Sequence, residues 1–147
     1  MWYHEFMKSR IFSSETVRTI GLTASKYPSV VAGYLFGSVA KGNNQPTSDV
    51  DVGFICTSIA DMDIRAFMLS IERCIALPDV DVVVADEYER PLILKEMMRG
   101  FLLYETSLGA RAALETRILH RLEDYTHLRA ISDRYVRRSF QKGVYAH

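Results

Sequence analysis

The sequence predicts an α+β domain in two layers, a small mixed β-sheet with helices packed against it. Three observations carry that prediction. Apolar runs of strand length and amphipathic runs of helix length follow one another as helix, strand, strand, helix, strand, helix, strand, helix. The 147 residues, 48% of them hydrophobic, are enough for one domain with a real core. No repeat, low-complexity tract or linker-like stretch marks an internal boundary. The expected domain spans 1–147, with its core over 12–105 and a helical C-terminal segment over 107–143.

Ser13 or Ser14 can cap a first helix reaching Lys26, with Val17, Ile20 and Ala24 facing inward and Pro28 as the stop. Residues 30–36 then read as a buried strand and 50–56 as its neighbour. Ile64, Phe67, Met68, Ile71 and Ile75 keep helical spacing, predicting a helix over 61–76 that ends before Pro78. Asp61 and Asp63 suit its cap and dipole. Asp79 to Ala85 reads as a third strand. Pro91 can occupy the first position of a short helix to Arg99, and Gly100 ends it. Phe101 to Glu105 is a short strand. From Ser107 a helical pattern runs toward Phe140 through Leu108, Ala112, Leu114, Ile118, Leu119, Leu122, Tyr125, Leu128, Ile131 and Tyr135.

Charge excludes some functions. Eighteen basic residues balance eighteen acidic ones, so no overall field draws the chain to nucleic acid or an anionic membrane. The basic residues are nonetheless uneven, with Arg111, Arg117, Arg121, Arg129, Arg134, Arg137, Arg138 and Lys142 crowding the last third. Cys56 and Cys74 lie in apolar periodic segments and read as reduced, buried thiols. The N-terminus lacks the pattern of a secretory signal, and the longest uncharged window, Tyr27 to Ala40, is too short to span a bilayer. The expectation is a cytoplasmic protein. His120 and His127 read as surface residues of the long helix, and Asp86, Glu87 and Glu89 as a solvated loop.

The chemistry concentrates in residues 36–55. An apolar run breaks at Gly37-Ser38, a polar turn follows, and Asp49 and Asp51 open the next apolar run. Residues two apart on a strand share a face, so both carboxylates project opposite Val50, Val52 and Phe54. Paired carboxylates repel unless a cation sits between them, and their hard oxygens suit Mg²⁺ bound with a phosphate chain. The Gly-Ser corner offers backbone N–H groups and a hydroxyl to anionic oxygens. Generic alternatives fail. Gly37 and Gly42 have P-loop spacing, but Asn43-Asn44 stands where Lys-Ser/Thr is needed. No Gly-x-Gly-x-x-Gly exists, and the histidines lie far in sequence from both cysteines.

Gly37-Ser38, ten intervening residues and Asp49-x-Asp51 resemble the signature of the nucleotidyltransferase superfamily related to DNA polymerase β. The match extends to the preceding apolar strand, Lys41-Gly42, Ser48 and Val52. The resemblance implies the polymerase β-like fold and a third carboxylate on the next strand. Asp81, between Val80 and Val82, fits that position better than Asp79. It further implies that Asp49 and Asp51 hold two Mg²⁺ ions on the triphosphate of ATP, and that Asp81 accepts the proton of a hydroxyl nucleophile and joins the metal site. Gly37 and Ser38 would meet the phosphates, with Ser48 beside them, and Lys41 would neutralise the leaving pyrophosphate.

Little beyond one long helix follows the predicted sheet, so the whole chain is similar to minimal nucleotidyltransferases, particularly MntA-type antitoxins paired with HEPN-domain RNase toxins. Val80-Asp81-Val82, the Gly100 to Glu105 segment and the helix bearing Arg111, Glu115 and Tyr125 fit that pattern. The implied activity is transfer of AMP from ATP to a tyrosine of the toxin, with pyrophosphate release and no direct nucleic-acid contact. Two alternatives follow from the same superfamily. One is a nucleotidyltransferase for an aminoglycoside- or lincosamide-like antibiotic; the other is a non-catalytic antitoxin that blocks its partner sterically.

Overall fold

The structure is a computed structural model and describes residues 11–37 and 50–141, with side chains of the last helix through Arg138. In chain order its elements are α1 (Ser14–Ala24), β1 (Val30–Phe36), β2 (Val50–Cys56), α2 (Ile64–Ile75), β3 (Val80–Asp86), α3 (Pro91–Met98), β4 (Phe101–Glu105) and α4 (Leu108–Gln141). The strands form one sheet in the order β3-β2-β1-β4. β1 is antiparallel to both β2 and β4, whereas β2 and β3 run parallel. The end of β1 and the beginnings of β2 and β3 therefore meet at one end of the sheet.

Local chemistry sets the element ends. Ser13 accepts the Thr16 N–H at 3.1 Å and starts α1. That helix stops at Ala24, before the expected Lys26, because the chain turns through Ser25 and Lys26 ahead of Pro28. Asp63 caps α2 through the Ala66 N–H at 3.1 Å, so the helix begins at Ile64 and Asp61 stays outside it. Ala76 ends α2 in the left-handed region (φ 53°), two residues before Pro78. Pro91 begins α3, where its missing N–H costs nothing.

The two faces of the sheet bury different partners. Strand residues Val30, Leu35, Val52, Phe54, Cys56 and Val82 pack on one face against Ile20 and Ala24 of α1 and Phe67, Ile71 and Ile75 of α2. Phe67 meets Phe54 and Tyr27 edge-on, with ring centres 4.9 and 4.8 Å apart; each such contact adds about 0.5–1.5 kcal/mol to the burial itself. Tyr34, Ile55 and Ala85 face the other way, beneath Leu94 and Met97 of α3 and Leu114 and Ile118 of α4. Only the first half of α4 is used this way. From Tyr125 to Val136 its large apolar side chains are exposed. None of the described helices is long and apolar enough to cross a membrane.

A polar bridge fastens α4 to the sheet. The buried Tyr34 hydroxyl donates to Glu115, Arg111 donates to Glu105 of β4, and Arg111 Nη1 reaches the two Glu115 oxygens at 3.3 and 3.4 Å. The hydrogen bond that Arg111 donates to Glu105 raises the Arg111 pKa further, and burial, aided by Glu115, raises that of Tyr34. Burial also pushes the Cys56 thiol up to about 12, while Cys74 is only half-buried, less than its apolar setting predicts. The loop reading of 86–89 needs a similar correction. Asp86 closes β3 and accepts the Tyr88 N–H at 2.9 Å, and half-buried Glu87 lies 3.5 Å from Arg117.

An alkaline weakening of the fold follows. Between the ordinary thiol pKa of 9.0 and about 12, folded Cys56 keeps a proton that the unfolded chain has lost. Stability is therefore fully present below pH 9 and falls as pH rises, with Tyr34 adding to the loss above its ordinary 10.0. Urea denaturation from pH 8 to 11 should show this decline, and Cys56→Ala should flatten its lower part. Tyr34→Phe should cost about 1.5–3 kcal/mol at neutral pH, the value of a hydrogen bond to a charged partner. Stability that is constant up to pH 11 would contradict the assignment.

Candidate active site

Sheet register brings the acidic residues together. In the parallel β2–β3 pair Asp51 lies directly opposite Asp81. Adjacent strands are about 4.8 Å apart, so side chains at one register position stand side by side. Val50, Val52 and Val82 point into the α1/α2 core, which leaves both aspartates on the face that α3 and α4 cover. Asp51 is half-buried and Asp81 exposed. The pair thus sits at the sheet's open end, where the packed core gives way to solvent. The Val50 N–H donates to the Asp79 carbonyl at 3.0 Å, tying the starts of the two strands together. Asp79 itself precedes β3, so only Asp81 lies on the strand.

Gly37 completes this arrangement from the antiparallel side. Phe36 is the register partner of Asp51, and Gly37 follows it with φ 82°. A Cβ at Gly37 would collide with the Asp51 carboxylate. Both the backbone angle and the close approach therefore favour glycine here. The open backbone beside a carboxylate is a cradle suited to a phosphate and its counter-cation. Two hard oxygen donors at one register position, beside that cradle, fit a divalent metal such as Mg²⁺. Among the described residues no three metal-ligating side chains converge. Asp49, the third member of the expected set, lies outside the described residues, as do Ser38, Lys41 and Ser48.

Other residues singled out in the sequence are placed elsewhere. Asp63 is a helix cap, His120 and His127 are exposed on α4, and Tyr104 Oη sits 3.3 Å from Thr106 Oγ1. Sequence reasoning missed the Tyr34–Glu115–Arg111–Glu105 bridge. Arg111 and Glu115 are four apart on one helix, which signals a pair, but nothing in an apolar strand marks Tyr34 as their partner. Two clefts also went unforeseen, of about 550 and 980 Å³. Both lie between α3 and α4, and neither is lined by Asp51 or Asp81.

A sheet of this topology, with a glycine elbow facing a register-paired carboxylate couple, is the frame of a nucleotidyltransferase. The family model described as Polymerase beta, Nucleotidyltransferase matches residues 18–108. The chain belongs to that family. No curated protein matches its sequence. Among solved structures, a chain of a toxin–antitoxin crystal structure with AMP-PNP is 17% identical, with a TM-score of 0.59 over 88% of this chain and 99% of that one. A chain of a MntA–HpeT toxin–antitoxin variant is 20% identical, with a TM-score of 0.58 over 85% and 98%. A third, from a tri-AMPylated Shewanella oneidensis HEPN toxin in complex with MNT antitoxin, is 19% identical, with a TM-score of 0.55 over 85% and 96%. At these identities the likeness is one of fold.

Gly37→Ala tests the elbow. Forcing a side chain into the left-handed region costs about 1–2 kcal/mol, and the new methyl group must displace Asp51. The expected result is a folded protein with a lowered urea midpoint and shifted amide resonances at residues 50–52. Unchanged stability and resonances would show that the approach to Asp51 is not as described.

Proposed function

We propose that the protein is a Mg²⁺-dependent protein adenylyltransferase of the antitoxin type. Its co-substrate is ATP, and its acceptor is a tyrosine of a partner HEPN-domain RNase toxin. The observation that carries this reading is the facing pair Asp51 and Asp81 beside Gly37, in a chain of the polymerase β nucleotidyltransferase family. The structural likeness to toxin–antitoxin proteins supports the choice of partner. In this proposal residues 1–147 act as one cytoplasmic domain.

Asp49, Asp51 and Asp81 would hold the metal. When bound, Mg²⁺ supplies charge neutralisation for the triphosphate and for the departing pyrophosphate. Ser38 and Ser48 would donate to phosphate oxygens brought close by the open backbone at Gly37, and Lys41 would offset the leaving charge. The tyrosine oxygen forms a bond to the α-phosphorus as the bond from that phosphorus to the bridging oxygen breaks. Pyrophosphate leaves with the electron pair, and Asp81, which is solvent-exposed, takes the hydroxyl proton. AMP on the toxin would add bulk and negative charge where RNA must bind.

The free half of α4 is suited to docking. Tyr125, Leu128, Ile131 and Tyr135 are 41, 64, 48 and 64% exposed, beside Arg129, Arg134, Arg137 and Arg138. The same arginines disfavour a cationic antibiotic as acceptor.

Incubation with ATP, Mg²⁺ and the HEPN protein encoded beside this gene should add the mass of AMP to a tyrosine peptide of that protein. Asp51→Asn should stay folded and lose at least a hundredfold in rate. Asp81→Asn should slow transfer more than it weakens ATP binding. Neutralisation of the toxin without added mass would instead mean steric inhibition. Transfer unchanged in Asp51→Asn would overturn the site.

A further inference from the structure

Helices α3 and α4 line the larger of these two clefts, about 980 Å³ in volume. Its walls include Leu92, Met98, Leu119 and Leu122, and Leu92 and Leu119 are 62 and 49% exposed. Lys95, Arg99 and Arg129 lie among these, together with Glu115 and Glu123. Glu115 is already engaged by Arg111 and Tyr34. Among the described residues, none of the three cations has a carboxylate partner. The cleft is thus an apolar trough with an excess of positive charge.

Its lining favours one kind of occupant. The wall on α3 runs from Pro91 to Arg99, and α3 is eight residues long, about 12 Å. An apolar floor of that length with cations at its edges complements one face of an amphipathic helix that carries carboxylates beside its apolar stripe. The trough also has a direction. A Cβ at Gly100, next to Arg99, would meet the Leu35 carbonyl oxygen and lie 2.9 Å from Phe36 Cβ, and Phe36 is the register partner of Asp51. The Arg99 end therefore abuts the end of the sheet that carries Asp51 and Asp81.

We propose that this cleft receives a net-acidic amphipathic helix of the acceptor protein. Its apolar side rests on Leu92, Met98, Leu119 and Leu122, and its carboxylates pair with Lys95, Arg99 and Arg129. Resting on the transferase reading above, the same seating delivers the acceptor hydroxyl toward Asp51 and Asp81. The charge of the trough is local, since the chain as a whole is neutral.

The test uses the full chain without nucleotide. Fluorescence anisotropy would measure binding of a labelled synthetic helix of about 20 residues, long enough to be helical in water, with a leucine stripe flanked by glutamates. Its lysine-for-glutamate counterpart and a single-stranded RNA serve as comparisons. The acidic helix should bind, and Arg99→Glu/Arg129→Glu should weaken it at least tenfold with circular dichroism and melting unchanged. Leu119→Asp should weaken it similarly. Equal binding of the basic helix, tighter binding of RNA, or indifference to the double variant would overturn the proposal. A protein that binds the acidic helix but never transfers AMP contradicts the transferase reading and leaves the cleft standing. Transfer to the HEPN protein that is unaffected by Arg99→Glu/Arg129→Glu contradicts the cleft alone.

Discussion

The parallel pairing of β2 with β3 sets Asp51 against Asp81, and the remaining structure follows from holding that register. A slip of one residue would turn Asp81 toward the α1/α2 core and bring Val80 or Val82 to the solvent end. Val50, Val52, Val80 and Val82 prevent it, because their burial beside Phe67 and Ile71 is lost if the strand shifts. Apolar residues on one face thus fix the position of charged residues on the other. Setting the half-buried Asp51 and the exposed Asp81 side by side is unfavourable by itself. The packing on the opposite face offsets that cost.

The long helix solves a separate problem. α4 meets the sheet through Leu114 and Ile118 and through the Tyr34–Glu115–Arg111–Glu105 bridge, after which it continues outward. The bridge fixes the angle of departure, because hydrogen bonds constrain orientation more tightly than apolar contact alone. Arg117 beside Glu87 and Arg121, 4.5 Å from the Tyr88 ring centre, steady it against the loop after β3. One helix thereby joins the catalytic frame to an exposed surface of apolar and cationic side chains.

Much of this was legible in the sequence, for reasons that can be named. The order of elements is right, β1, β2 and β4 keep their expected bounds and the other ends differ by at most three residues, since apolar periodicity reports burial while local caps such as Ser13 and Asp63 decide where helices begin. The placing of Asp81 on a strand followed from the flanking valines, whereas that strand begins at Val80 and leaves out Asp79, which the sequence pattern includes. The neighbouring of 30–36 and 50–56 was legible, but the strand order and register were not, because register between distant segments depends on the whole sheet. Nor was the point at which α4 leaves the core. Leu122 and Leu128 look alike in a helical pattern, and only the width of the sheet decides that the second is exposed. For the same reason the cleft beside α3 had no sequence signal.

The central claim is that the end of the sheet bearing Asp51 and Asp81 is the metal–nucleotide site, and paramagnetic relaxation tests it most directly. Mn²⁺ added with ATP at substoichiometric levels should broaden the amide resonances of residues 50–52 and 80–82 first. Broadening centred on other carboxylates, such as Asp61 and Asp63 or Glu87 and Glu89, with residues 50–52 unaffected, would contradict it.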